Sequence, residues 1–437
     1  MKTLKLFLLA LTIPVIVAAQ TFTLEQSIDT GLKNSKDLKI SRSKVVGNDA
    51  KITEVGSQML PQLKLSAGYT RLSDVPDFTV SVPGSLQSFK IQDVVLNNYQ
   101  VTLSLQQPLF TGFRLSSLKS AAEYNYTASG LEYDKDINEY AFKIQNAFWN
   151  FYKAKQIKFL LEETLKQIDK HLQDTKNYLE NQLVTKNDVL KLEVQYSNTK
   201  LQLIEVENNL DLARINFNRV LGIDLESQTD INTNDIILTK SDYDLDDITI
   251  EAIHNRKELQ SMEYRLKSSE EVVTAANSNW FPTVSLFGNV YYQRPNQRYL
   301  PIKDIDHGSW DVGIALSWDV WNWGYNSSQT TQAEQNYLQA QTSLSELKDA
   351  VQVEVYQSYL TYKRSFDKVD VSRKSVEQAD ENYRIMQQKY DEQLATSTDL
   401  IDAEVSVLQA KTNLTNSLVD YQLAKVQLEK AIGEKIY

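Results

Sequence analysis

The sequence predicts a mainly α-helical chain with a transmembrane β part, built as a tandem repeat of long helical hairpins carrying four β-strands per chain. Three observations carry that expectation. LVTKNDVLKLEV (183–194) returns as LATSTDLIDAEV (394–405), an offset of 211 residues. A proline-free stretch of 69 residues, 113–181, keeps helical three–four spacing. Four shorter segments alternate apolar and polar residues with a period of two.

The offset extends well beyond the dozen residues that reveal it. Val101 and Leu105 map onto Val312 and Leu316, Ile144 onto Val355, and Phe151 onto Tyr362. Gln182 maps onto Gln393, Lys200 onto Lys411, and VLG (220–222) onto AIG (431–433). A period held this long sets the architecture. It divides the chain into residues 1–19, a first repeat over 20–222, an acidic linker over 223–247, and a second repeat over 248–437.

In chain order, MKTLKLFLLALTIPVIVAA reads as a secretory signal. Lys2 and Lys5 precede an apolar run from Leu6 to Val17, and Val17 and Ala19 suit cleavage before Gln20. The run is short for a membrane span of about 20 residues. The exported chain has no cysteine, so it is held by packing or by oligomerisation.

Thr23 and Gln26 form a capping box at the start of the opening helix, expected over roughly 24–57. Strands follow near 60–72 and 99–110, and in the second repeat near 281–292 and 309–320. Leu63, Leu65, Ala67 and Tyr69 face one way, and Lys64, Ser66, Gly68 and Thr70 the other. In the last strand Trp310, Val312, Ile314, Leu316 and Trp318 oppose Asp311, Gly313, Ala315, Ser317 and Asp319. Phe287 and Tyr291 weaken the polar side of the third. Such alternation suits an outer-membrane barrel strand, and equally a half-buried strand of a soluble sandwich.

The helices break that tie. The stretch 113–181 would be about 100 Å long at 1.5 Å per residue. A tip near 182–188 leads into a return helix with a heptad seam of Val189, Leu192, Tyr196, Thr199, Leu203, Val206, Leu210, Ala213, Phe217 and Val220. The second tip, near 392–399, leads into the same seam 211 residues on, from Leu400 and Ala403 to Leu428 and Ala431. The return and opening helices, stacked end to end, match the long helix in length. Each repeat is then a hairpin about 100 Å long with two strands at one end. Four strands close no membrane barrel, since bacterial barrels begin at about eight, so several protomers must pool theirs.

Composition excludes other classes. Forty-six basic against fifty-seven acidic residues give a formal charge of −11, against nucleic-acid binding. His171, His254 and His307 match no zinc spacing. There is no phosphate loop or serine elbow, so neither an enzyme nor a cofactor is expected. Asp242, Asp244, Asp246 and Asp247 read as a solvated acidic face in preference to a calcium site. Five of six tryptophans (Trp280, Trp310, Trp318, Trp321 and Trp323) lie in or beside the second repeat's strands, as in an interfacial girdle.

TLEQSI (23–28), LPQLKLSAGY (60–69), QPLFTGFR (107–114) and T-x-x-D-[VL]-[LI] at both tips, in this order, resemble the TolC-like outer-membrane efflux proteins over essentially the whole mature chain. That resemblance implies a homotrimer with a twelve-stranded barrel among outer-membrane lipid and a helical tunnel through the periplasm. It also implies a periplasmic adaptor and an inner-membrane pump as partners. Asp399 and Asp402 match the family's D-x-x-D, which rings the periplasmic entrance. The first tip keeps Asp188 but has Lys191 in place of the second carboxylate. Tyr390 and Asp188 match a contact that holds the entrance shut. An arginine of that lock would fall at Ala395, and the tip glycines are replaced by Gln182 and Gln393. Capping of the following helix is the competing reading of Asp188 and Asp399. It does not reach Asp402, which lies inside the helix. Packing is the competing reading of Tyr390. For the whole chain, the alternative is a soluble periplasmic coiled-coil scaffold or adaptor.

Overall fold

Thr23 opens the first helix as the sequence predicts: Gln26 N donates to Thr23 Oγ1 at 3.2 Å, and Thr23 N donates to Gln26 Oε1 at 3.1 Å. The structure is a computed structural model that describes residues 20–81, 83–84, 88–92, 94–233, 241–300 and 302–437. The expected signal, residues 1–19, and residues 234–240 of the acidic linker lie outside the described residues.

The first repeat runs β1 (Gln20–Phe22), α1 (Leu24–Asn34), α2 (Lys36–Ser57), β2 (Gln62–Arg71), β3 (Phe78–Ser81), β4 (Ser88–Gln92), β5 (Asn97–Phe110), α3 (Arg114–Glu180) and α4 (Lys186–Leu221). Then come β6 (Thr229–Ile231), α5 (Leu245–Asn255), α6 (Lys257–Asn277), β7 (Thr283–Arg294), β8 (His307–Ser317), α7 (Tyr325–Asp391) and α8 (Ser397–Ile432). α3 and α7 each have 67 residues, and α4 and α8 each have 36. Every end of α7 and α8 lies 211 residues beyond its counterpart (325 − 114, 391 − 180, 397 − 186, 432 − 221).

The opening helices are not continuous, contrary to the expected run over 24–57. The first breaks at Ser35 and its counterpart at Arg256, both with non-helical backbone, ψ being 124° and 122°. The cause lies in what packs there. Asn34 Nδ2 donates to Leu221 O at 3.1 Å, and the left-handed Gly222 that ends α4 has no room for a Cβ beside Asn34. Ser35 Oγ then caps the new helix by accepting from Leu38 N at 3.1 Å. At the second break Arg256 reaches Ala431 O, near the end of α8, at 3.3 Å. The chain turns at the point where each return helix ends.

The described residues form two compact units, and each takes pieces of both repeats. One comprises residues 20–41, 133–257 and 348–437. Its core gathers Ile144, Phe148, Phe151, Phe217 and Leu221, with Phe22 and Ile231 packed among them. These last two come from β1 and β6, a parallel pair that the sequence did not announce. The acidic linker thus carries a strand, anchored by Asn218, whose Nδ2 donates to Ser227 O at 2.9 Å. Asp244 caps α5, accepting from Asp246 N and Asp247 N, and the neighbouring acids occupy the first turn, where the helix dipole favours them.

The other unit comprises residues 42–132 and 258–347. Small residues bring its helices close: Ser261 Oγ donates to Ala128 O and Ser268 Oγ to Ala121 O, each at 3.0 Å. Its sheet is antiparallel in the order β2-β5-β7-β8. Register places Leu65, Leu103, Val290 and Trp310 in one row, and Lys64, Ser104, Asn289 and Asp311 in the next. The two faces therefore alternate coherently across all four strands. Phe287, on the polar face, lies over Gly313, where a Cβ would come within 2.7 Å of its ring. The expected polar loop between the first two strands also contains the short β3–β4 hairpin. No described helix is long and apolar enough to cross a membrane.

Candidate functional site

Both hairpin tips turn in the same way. α3 ends at Glu180 and α7 at Asp391, and Gln182 and Gln393 follow with φ of 59° and 61°. Gln182 N and Leu183 N donate back to Leu179 O and Tyr178 O, each at 2.9 Å. Gln393 N and Leu394 N do the same to Tyr390 O and Lys389 O, at 2.9 and 2.7 Å. This is the bonding of a Schellman turn, which ordinarily takes glycine at the left-handed position. A side chain there costs roughly 1–2 kcal/mol. The tip turn keeps its geometry without the glycine.

The next helices start at Thr185 and Thr396, and Asp188 and Asp399 stand three residues in. Thr396 N and Thr396 Oγ1 both donate to Asp399 Oδ2, at 2.9 and 2.7 Å, while Asp399 N donates to Thr396 Oγ1. Asp188 Oδ2 accepts likewise from Thr185 N and Oγ1, at 2.9 and 2.6 Å. The threonines are the N-caps and the aspartates complete the capping boxes. The threonine hydrogen bonds hold both carboxyls below their ordinary range, so both are ionised at neutral pH. Asp402 lies one turn further along α8 and is exposed.

Tyr390 is buried, and its hydroxyl pairs with Thr175 Oγ1 at 2.7 Å. Burial raises its phenol, and the Asp188 charge adds to that. Within the chain the structure therefore places Tyr390 near Asp188 without joining them: Thr175 takes the hydroxyl and Thr185 the carboxylate. The His171 ring packs edge-on against Tyr390 at 4.9 Å.

Beside this tyrosine lies a pair that sequence reasoning missed. His171 Nδ1 of α3 stands 3.5 Å from Glu404 Oε1 of α8, with both side chains almost wholly buried. Neither ring nitrogen and neither carboxylate oxygen makes a hydrogen bond. Glu404 lies beside Ala403, flanking the seam of α8 between Leu400 and Val407, and an acid one turn from Leu400 and from Val407 is the signal that could have found it. Nearby, Lys191 Nζ donates to Thr398 Oγ1 at 2.9 Å, another link between the two hairpins.

Two features of the arrangement bear on chemistry. The tips present capped carboxylates at Asp188 and Asp399 and an exposed one at Asp402, and beneath them the two hairpins are joined by Thr175–Tyr390 and His171–Glu404. The strand unit presents an apolar face to its surroundings, with Leu65 70%, Trp310 72%, Ile314 67% and Leu316 67% exposed.

Comparison with known proteins adds the following. The family profile described as outer membrane efflux protein matches residues 28–223 and 249–434. The outer membrane protein TolC of Salmonella enteritidis is 22% identical over 391 residues, covering 88% of this chain and 76% of that protein. The probable efflux pump outer membrane protein TtgC of Pseudomonas putida is 18% identical over 418 residues, 94% of this chain and 82% of its own. The crystal structure of the outer membrane protein VceC from Vibrio cholerae superposes with a TM-score of 0.80 at 19% identity, covering 95% of this chain and 97% of that one. The CmeC outer membrane channel of Campylobacter jejuni gives a TM-score of 0.79 at 17% identity, covering 95% and 87%.

Proposed function

This chain belongs to the outer membrane efflux protein family, and on that premise we propose that it forms a trimeric export duct. Its place is the bacterial outer membrane. Three copies contribute twelve strands to one barrel, and their helical hairpins line a passage through the periplasm. An inner-membrane pump, engaged through a periplasmic adaptor, supplies the solutes and the driving force. The chain itself performs no covalent chemistry in this reading.

The observation that carries the proposal is the sheet. β2 and β8 are its two edges, and one of its faces is a continuous apolar surface. Open edges leave backbone groups unpaired, which lipid does not tolerate. Joining β8 of one copy to β2 of the next closes the ring and pairs both edges. The exposed apolar face speaks against a soluble adaptor, because water would surround it.

At the hairpin tips, Asp399 and Asp402 of three copies would bring six carboxylates around one opening. Capping occupies Oδ2 of Asp399 and keeps its charge on, so the ring stays negative at neutral pH. Such a ring concentrates cations and holds multivalent ones. The experiment is conductance of purified protein in a planar bilayer. Asp399→Asn with Asp402→Asn preserves size and capping, and is expected to abolish cation preference and block by added divalent or trivalent ions. Parental conductance and block in that variant would remove these residues from the entrance.

A further inference from the structure

We propose that Arg298 latches a strap of chain inside the outer mouth of the duct and so limits the size of what passes there. The inference rests on the reading that the polar face of the sheet lines the lumen. Arg298 belongs to the connection between β7 and β8, which could simply have stood away from the sheet. Instead residues 296–298 fold back along the polar face of β8.

The fold-back is built, with several independent anchors. Asn296 is 2% exposed, and its Nδ2 donates to His307 O at 3.0 Å and to Ser309 Oγ at 3.1 Å. Its Oδ1 accepts from Arg298 N at 3.0 Å, turning the chain so that the arginine points down the strand. The guanidinium then makes three contacts. Nη1 donates to Trp310 O at 3.1 Å, Nη2 pairs with Asp311 Oδ2, and the group lies 4.7 Å from the centre of the Tyr291 ring. Asp311 is itself positioned by Asn289 Nδ2, at 2.8 Å from Oδ1. At the base of the connection Arg294 holds Asp304 through Nε and Nη2, at 2.8 and 3.3 Å.

Ser309, Asp311 and Tyr291 share the face opposite Trp310, Val312 and Val290. Asp311 lies four residues into β8, about 13 Å from its loop end at 3.3 Å per residue. Arg298 therefore reaches into the interior of the sheet's span. A chain segment laid on a sheet stands about 10 Å off it, so three straps would narrow the mouth from three sides. This also accounts for Tyr291, one of the two aromatics of β7 on that face: it is the surface on which the guanidinium stacks. Planarity, a fork of donors and stacking are all used, which a lysine would not supply together.

The chain has no cysteine, so one introduced thiol reports alone. Ser285 lies on the polar face deeper than Asp311, paired with Ala315. In intact cells expressing Ser285→Cys, a small membrane-impermeant maleimide added outside should label the thiol, and a polyethylene-glycol maleimide of several kilodaltons should label it slowly. Adding Arg298→Ala should speed the large reagent by roughly tenfold, as the loss of a charge-assisted hydrogen bond shifts a strap between seated and lifted states. The small reagent should be unaffected, and Arg298→Lys should fall between. Equal rates for the large reagent with and without Arg298, in protein still assembled in the membrane, would overturn the strap. A thiol that even the small reagent cannot reach in either background would mean that the polar face is not the lumen. That failure belongs to the proposed duct, and the strap would fall with it.

Discussion

Lys191 of the first hairpin donates to Thr398 Oγ1 of the second at 2.9 Å. Lys191 is the residue that stands 211 positions before Asp402. Where one tip carries its second carboxylate, the other carries an ammonium that reaches across to its neighbour. The two copies of the motif thus differ in what this position does within the chain: the first hairpin has a tether at Lys191 where the second has an exposed carboxylate at Asp402.

Cutting that tether should loosen the entrance. Lys191→Met keeps the length of the side chain and its helix propensity but removes the donor. A hydrogen bond made by a charged group is worth about 1.5–3 kcal/mol at most, and less where water competes. The open fraction in single-channel recordings should rise up to roughly tenfold. An unchanged open fraction would show that the Lys191–Thr398 bond does not restrain the tips.

Below the tips, His171 and Glu404 make a different prediction. Removing one member leaves the other buried without its partner, at a cost of about 1–3 kcal/mol. Replacing both by apolar groups of similar shape can be nearly neutral or stabilising. Glu404→Ala should therefore unfold at clearly lower urea than the parent, while His171→Leu combined with Glu404→Met should equal or exceed it. If the single and double variants lose the same stability, the two groups are not coupled.

The sheet faces are separable by one charge. Leu103→Arg or Ile314→Arg places a cation against lipid and should cost about 2–4 kcal/mol near the midplane. Ser104→Arg or Ala315→Arg, on the opposite face, should still assemble. The yield of membrane-inserted oligomer reads this directly, and equal losses on both faces would reverse the assignment.

How much of this was legible depends on scale. Helices of 67 and 36 residues repeat their spacing often enough to be read, and the capping threonines and the offset of 211 fix their ends. β1 and β6 have three residues each, too few for any period to show. The breaks at Ser35 and Arg256 interrupt no apolar pattern, because their cause is the arrival of α4 and α8 from elsewhere in the chain. Gln182 and Gln393 carry no sign of a left-handed backbone in themselves, and only the resemblance, in which they replace the tip glycines, marks the positions where the backbone asks for a glycine's conformation. His171 and Glu404 are 233 positions apart (404 − 171), so only the meeting of α3 with α8 makes them a pair.

In the proposed duct this chain completes its membrane sheet only with two further copies of itself. Multi-angle light scattering on the mature protein in mild detergent, corrected for bound detergent, tests it most directly. The protein mass should be three times that of one chain and should not fall on dilution, since the proposed ring pairs β8 of one copy with β2 of the next. A well-behaved monomer with its helices intact would contradict the account, because both edges of its sheet and its apolar face would then be stable without a partner.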